Sequence, residues 1–309
     1  MQNSNYWRGI WRLADPKVSL ASFSGMFMAA CFAAADVGLN LLWLAATVLG
    51  IFCVEVAKNA SGEVVDYDSG TDLAIVDEDR SPFSGGKRVL VDGLLSRPQT
   101  WQVAALCFSA AIVIGLSIAY FREPRILGLG AVGMGLAWFY HGGALKLSYR
   151  GLGEVAVFLA YGPLVVCGTY LVQAGHLSTP LIHLSMVLGL LVAAFLWINQ
   201  FPDYLADKSA GKKNLVVRLG RHRAARCYVV MVTAAYLWLL LVAYSYPGAR
   251  GALWGLSGLP LAGFSAWRLL RSAEHTQSIV PAQAACLASF VLLALGSGLG
   301  YRFIAAAAL

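Results

Sequence analysis

Nine apolar segments, each near the length of one bilayer crossing, leave this chain few folds to choose from. They run over 18–37, 41–62, 100–121, 125–141, 152–174, 179–201, 225–246, 252–270 and 280–305. About 20 consecutive apolar residues span the hydrocarbon of a membrane as an α-helix. Only helices and closed barrels satisfy their own backbone there. The expected fold is therefore all-α, an integral membrane bundle of nine transmembrane helices forming one domain over 1–309. Composition points the same way: 59% of residues are hydrophobic and 13% charged, with a mean hydropathy of +0.66. A soluble domain carries about 25% charged residues.

Charge sets the direction of threading. With the N-terminus in the cytoplasm, nine spans put the C-terminus outside. Of the 23 Lys and Arg residues, 19 then fall on the cytoplasmic side, and only Arg122, Arg125, Arg250 and Arg302 fall outside. That asymmetry is the positive-inside pattern. The net charge of +7 is spread over membrane-proximal loops, which fits anionic lipid or an anionic substrate and requires no nucleic acid. Residues 1–17 lack the short apolar core and small-residue cleavage site of a signal peptide. They read as a cytoplasmic amphipathic segment, with Tyr6–Leu13 lying on the membrane surface and Trp7 and Trp11 at the interface. The six cysteines are single and well separated, so packing explains them better than disulfides or a thiolate metal site.

Two expected cytoplasmic loops are long, 61–99 and 202–224, and long loops in compact proteins are usually functional. Seven of the chain's 16 carboxylates lie between Glu63 and Asp79. On a helix continuing from the second apolar run, Glu55, Asn59, Glu63 and Asp66 share one face. The sixth apolar run exits through Asn199, Asp203 and Asp207 at spacings of four, so these three also share a helical face, which Pro202 loosens. Polar groups at membrane depth are expensive and normally face a polar cavity. Two stations of amide plus carboxylates, 140 residues apart, suggest two halves meeting at one site. Asp77, Glu78 and Asp79 lie farthest from the helix end and read equally well as solvated surface.

Clustered carboxylates without cysteine or paired histidine favour a hard cation such as Mg2+. Mg2+ takes one or two carboxylates together with water and substrate phosphates, so two ions between two acid clusters suit a diphosphate. Lys212 and Lys213, in a glycine turn, add cationic donors. Other signals are weaker. Gly128-x-Gly130-x-x-Gly133 matches a dinucleotide fingerprint but lies inside an apolar span, where close helix packing is the better reading. Of five histidines, only His141 falls near the expected site.

These residues resemble the UbiA superfamily of intramembrane prenyltransferases. Asn199, Asp203-x-x-x-Asp207 and the run GKKNLVVRLG at 211–220 match its second aspartate motif. Asp66-Tyr67-Asp68-Ser69-Gly70-Thr71-Asp72 resembles the first. One departure stands upstream, where the family places Asn four residues before the first Asp and this chain has Gly62; Asn59 and Glu63 are the candidates to cover that role. Within the superfamily, the run Tyr140–Glu154 and VDGLLSRPQ at 91–99 are most similar to the 1,4-dihydroxy-2-naphthoate polyprenyltransferases of menaquinone synthesis, although the proline of that signature is replaced near Ala144.

The resemblance implies a nine-helix bundle that moves a polyprenyl group from its diphosphate to an aromatic acceptor in a bacterial inner membrane, with Mg2+ as cofactor. It implies Asp66 and Asp72, assisted by Asp68 and Glu63, as ligands of one ion, and Asp203 and Asp207 as ligands of the other. Asn59, Asn199, Lys146, Tyr149, Arg150, Lys208 and Lys212 are the expected substrate contacts. Tyr140, Tyr149 and Trp197 are expected to wall an allylic cation. Alternatives at this stage are a superfamily member with another acceptor (homogentisate or 4-hydroxybenzoate), a terpene cyclase, or a transporter. A conduit needs polar groups through its full depth, whereas here they gather at the cytoplasmic ends, with Asp36 among the few in the outer halves. No pattern in the chain specifies an oligomeric state.

Overall fold

The computed structural model describes residues 2–307, whose regular secondary structure is helical apart from one isolated Ser81–Ser84 bridge. Helix α1 (Gln2–Ala14) is short and amphipathic, with Trp7 and Trp11 exposed and Leu13 buried. Asp15, at φ 40, turns the chain, and Pro16 opens α2 (Pro16–Asp36), where its missing N–H costs nothing. Helix α3 (Leu41–Asp68) starts at Asn40, whose side chain accepts the Trp43 N–H. Helix α4 (Arg97–Phe121) starts with a capping box between Ser96 and Gln99.

After α5 (Ile126–His141), the next apolar segment is bent. Helix α6 (Gly153–Leu159) passes through a π turn (Ala160–Leu164) containing Pro163 into α7 (Val165–Ala174). The wider turn absorbs the hydrogen bond that proline cannot make. Helix α8 (Thr179–Asn199) is the most buried long element, followed by the short α9 (Tyr204–Ser209) and α10 (Leu215–Leu219) and then the long α11 (Arg221–Ser245). A 3-10 segment (Pro247–Gly258) leads into α12 (Leu259–Ser272), and α13 (Thr276–Ala307) ends the described chain.

Seven of these helical segments are long and apolar enough to cross a membrane, α6 and α7 counting as one. The fourth expected span is the shorter α5, with 16 residues, and the eighth is the 3-10 segment with α12. The protein is thus an all-helical, multi-pass membrane protein. Its outer surface carries the side chains that lipid would cover: Leu106, Val230, Leu237 and Leu241 are all more than half exposed.

The main core lies between α2, α8, α11 and α13, around Phe32, Leu184, Leu188, Leu191, Tyr228 and Phe290. The 3-10 segment sits directly on α13 because Gly251 and Gly300 face each other, and a Cβ on either would strike the opposite backbone. Polar atoms away from the site are tied into structure. Asp36 accepts the hydroxyls of Tyr170 and Tyr301 at 2.7 and 2.8 Å, so it pins three helices rather than lining a path.

Three expectations change. Helix α3 continues to Asp68, six residues beyond the end of the apolar run at 62, so the loop expected from 61 begins only at Ser69, and Glu63 and Asp66 lie on the helix as their shared face with Glu55 and Asn59 required. Nothing in 63–68 breaks a helix, and the first left-handed residue is Gly70, at φ 79. The second station, by contrast, is not one helix. Helix α8 stops at Asn199, residues 200–203 form a turn around Pro202, and Asp203 stands before α9. Finally, Gly128, Gly130 and Gly133 have open space where a Cβ would be, so they make no close helix contact. Gly130 and Gly133 instead border an apolar pocket.

Candidate active site

At the end of the bundle where α3, α5 and α8 finish and α2 and α11 begin, the chain encloses a polar cavity of about 520 Å³. Asp66 comes from the last turn of α3, Asp72 from the following loop, and Asn199, Asp203 and Asp207 from the α8–α9 corner. Helix α1 and the loop 80–87 form its rim, with Trp11, Phe83 and Lys87. Deeper in the bundle, an apolar pocket of about 220 Å³ shares Lys58, Tyr140, Val157 and Tyr161 with the polar cavity. One space is therefore charged above and mostly hydrocarbon below, where Glu55 is the one acid among the described residues of the lining.

Asp66 has a hydrogen bond on one oxygen and a longer contact on the other. The Tyr149 hydroxyl donates to Oδ1 at 2.6 Å, and His141 Nε2 stands 3.6 Å from Oδ2. Tyr149 is in turn fixed by Ser69 and Thr71, whose hydroxyls lie 2.8 and 3.3 Å from its own. Asp72, 4% exposed, packs against Gly86, where a Cβ would meet the carboxylate; that glycine also has φ 72. Burial, with Asp66 and Glu63 adding like charge, pushes the Asp72 carboxyl up to about 8.

The second station is bound differently. Asp207 is 2% exposed; Asn214 Nδ2 donates to its Oδ2 at 2.7 Å, and Lys212 Nζ lies 3.3 Å from its Oδ1. Asp203 Oδ1 is buried without a hydrogen-bond partner among the described residues. Burial first, and Asp207 second, raise the Asp203 carboxyl well above the usual carboxylate range. Burial also works against the Lys212 ammonium, but Asp207 and Asp66 outweigh it and hold the charge on the lysine. Lys212 also lies 5.4 Å over the Tyr149 ring, so one cation touches both stations. The loops are stitched together there: Lys213 N–H donates to Tyr149 O at 2.9 Å, and Arg218 donates to both Arg150 O and Lys213 O.

The remaining expected residues divide by position. Asn59 and Glu63 border the cavity, each with one polar atom engaged elsewhere, and Glu63 Oε2 is buried without a partner among the described residues. Asn59 Nδ2 donates to Leu13 O at 2.8 Å, tying α1 to α3, and Glu63 Oε1 accepts the Leu90 N–H at 2.8 Å, anchoring the loop. Asn199 Oδ1 accepts from Gln283 of α13. Asp68 lies outside the cavity in an exposed pair with Arg97 at 2.5 Å, so it does not join the other acids. Lys146, Arg150 and Lys208 are exposed and also lie outside it; Lys208 covers the Tyr204 ring. Trp197 is packed in the core, its indole N–H donating to Ala224 O, and cannot wall the cavity; Tyr140 does. Asp77 and Asp79 turn to the surface, pairing with Arg80 and Thr276.

Sequence reasoning passed over Lys58, Lys87 and Tyr161 as cavity residues and gave His141 no role. For Lys58 a signal existed: Lys58, Gly62 and Asp66 follow one another at spacings of four on the α3 face that carries the acid. Lys87 had none, because it reaches the cavity through the fold of a loop, where it pairs with Asp15.

Comparison with known proteins agrees with this geometry. The model of the UbiA prenyltransferase family matches residues 23–280. A 1,4-dihydroxy-2-naphthoate octaprenyltransferase of Bacillus subtilis is 26% identical over 232 residues, covering 75% of this chain and 72% of that protein. Its counterpart from Mycobacterium tuberculosis is 30% identical over 217 residues, covering 70% and 71%. Among solved structures, a UbiA homolog from Archaeoglobus fulgidus bound to GPP and Mg2+ superimposes with a TM-score of 0.64 at 16% identity, covering 96% of this chain and 99% of that one. With the family model spanning most of the chain and the same helical fold recurring in a solved homolog, this protein belongs to the UbiA prenyltransferase family and is a membrane prenyltransferase.

Proposed function

We propose that the protein transfers a polyprenyl group from polyprenyl diphosphate to a hydroxyaromatic acceptor of the 1,4-dihydroxy-2-naphthoate type, with Mg2+ as cofactor, in a bacterial cytoplasmic membrane. The whole chain acts as a single domain of nine passes, with the N-terminus and the polar cavity on the cytoplasmic side. The observation that carries the reading is one space holding two carboxylate stations above an apolar pocket. A molecule with a multiply charged head and a hydrocarbon tail fits that division. The acceptor class rests on the naphthoate octaprenyltransferases that this chain resembles.

The residues present fit Mg2+. Among the described residues no three acids, histidines or cysteines close into a metal site by themselves. That suits an ion which takes only one or two carboxylates and fills its shell with water and substrate phosphate. Asp203 Oδ1 is buried without a partner, and Asp72 sits where neighbouring acids repel it. Asp66 and Asp72 would hold one ion, and Asp203 and Asp207 the other. When bound, Mg2+ neutralises the charge that develops on a departing diphosphate. Lys212, between the stations, supplies a fixed cation to the same group. The faces of Tyr140 and Tyr161 at the neck offer negative π density to an allylic cation. The apolar walls below keep water from that cation.

The test is turnover of purified protein with several polyprenyl diphosphates against a panel of hydroxyaromatic acids. EDTA is expected to abolish turnover and Mg2+ to restore it, with 1,4-dihydroxy-2-naphthoate the preferred acceptor. Full activity in chelator sinks the metal mechanism. Preference for homogentisate or 4-hydroxybenzoate reassigns the acceptor.

A further inference from the structure

The second station has an amide, Asn199, four residues before its first acid, Asp203. The corresponding place before Asp66 is Gly62, which has no side chain. Of its neighbours on α3, Asn59 donates to Leu13 O and Glu63 accepts the Leu90 N–H on Oε1, with Oε2 buried and without a partner among the described residues. The space is occupied from another helix. A Cβ built on Gly62 would meet the His141 ring, with Cε1 at 2.7 Å and Cγ at 2.9 Å and Nδ1 closest of all. Residue 62 must therefore be glycine for His141 to be where it is.

His141 is the last residue of α5 and borders the polar cavity. Its Nδ1 is buried against α3 without a hydrogen-bond partner. A buried N–H with nothing to receive it costs more than a bare ring nitrogen, so the tautomer with the proton on Nε2 is favoured. That proton faces Asp66 Oδ2 at 3.6 Å, a long contact of the kind that tightens when a site is filled. On the other oxygen Tyr149 already donates. Both partners of Asp66 thus come from one short segment, 141–149.

We propose that His141 is a positioning residue for Asp66, seated in the space left by Gly62, and that it orients this carboxylate toward the cation of a bound diphosphate. The inference rests on the metal–diphosphate reading above. It places an imidazole from α5 where the second station has the amide of Asn199, and it couples Gly62 to His141, because a side chain at 62 and the ring at 141 compete for one space.

The experiment measures binding of Mn2+ (an Mg2+ substitute visible by electron paramagnetic resonance) in the presence of inorganic diphosphate, together with a thermal melt and the acceptor KM. It uses the full chain in nanodiscs, as wild type, His141→Ala, Gly62→Asn and Gly62→Asn/His141→Ala. His141→Ala is expected to weaken diphosphate-dependent Mn2+ binding by about 10-fold or more, as for other residues that orient a metal ligand, with the acceptor KM unchanged. Gly62→Asn alone is expected to lower the melting temperature, since the two side chains compete for one space. The double variant is expected to regain both the melting temperature and most of the Mn2+ affinity. Should it fail to fold, His141→Gln against His141→Leu decides instead: glutamine keeps an N–H donor and is expected to retain binding, leucine to lose it. Wild-type Mn2+ affinity in His141→Ala, or equal affinity for Gln and Leu, overturns the proposal while leaving the proposed function standing. No diphosphate-dependent Mn2+ binding in the wild type overturns both.

Discussion

The two acid stations that line the cavity are built on unlike scaffolds. The first is built mainly on an unbroken helix: α3 carries Asn59, Glu63 and Asp66 in consecutive turns, and only Asp72 comes from the loop after it. The second follows a helix that stops, with Asp203 and Asp207 placed by the turn around Pro202 and the short α9. In the first, Asp66 takes its partners from elsewhere in the chain, a hydrogen bond from Tyr149 on one oxygen and the longer contact of His141 on the other. In the second, Asp207 is braced by Asn214 and Lys212 from its own loop, and Asp203 keeps a buried oxygen without a partner. The difference follows from reach. A helix fixes where its side chains point and must import their partners, whereas a loop can fold its own partners back.

This contrast predicts that the second station is the more fragile in chemistry and the first in architecture. The largest effect is expected at Asp203. Asp203→Asn keeps shape and hydrogen-bonding capacity but removes a charge from the proposed site, and turnover at saturating Mg2+ should fall about 100-fold, as when one electrostatic stabiliser is removed. Its melting curve should be near wild type, because asparagine keeps an oxygen that can accept a hydrogen bond at that place. A stable variant keeping wild-type turnover would remove Asp203 from the metal set.

A smaller change in rate, with a clear loss of stability, is expected on α3. Glu63→Ala frees the Leu90 amide that the carboxylate holds at 2.8 Å. Leaving that amide unsatisfied costs about 1–3 kcal/mol, which a thermal melt would register, while turnover should fall far less than in Asp203→Asn. If the melt is unchanged and turnover collapses, Glu63 is a ligand and not an anchor. The smallest effect is expected at Asp68, one turn from Glu63 but outside the cavity. Its pair with Arg97 is exposed on both sides, and such pairs contribute ~0.5 kcal/mol or less. Asp68→Asn should match wild type in both assays, and a marked loss of Mg2+-dependent turnover would place Asp68 among the ligands after all.

Much of this was readable in the residues in order. The apolar runs gave the all-helical membrane fold, because run length against bilayer thickness is a one-dimensional property. The two aspartate motifs pointed to the end of the bundle where the cavity lies, because acids and amides at the ends of membrane spans are costly unless a polar cavity receives them. Spacing was less informative about which polar residues share the cavity. Asp68 lies within the first motif yet turns outward, and Lys146, Arg150 and Lys208 are basic residues in the expected loops yet stay exposed. Trp197 lies on the same helix as Asn199 but is buried in the core.

What the sequence determined by itself is therefore the fold class, the membrane setting and the two acid stations, each set by local pattern and by the solvation cost of charge. What only the tertiary structure decided is the partnership around each acid. Gly62 reads in the sequence as a missing side chain, and in space it is the room that His141 occupies from 79 residues away. Glu63 reads as a ligand, and in space one of its oxygens accepts the Leu90 N–H while the other is buried at the cavity without a partner among the described residues. Hydrogen bonds and close packing are settled by distances of a few tenths of an ångström between segments far apart in the chain, and no periodicity along the chain encodes those distances.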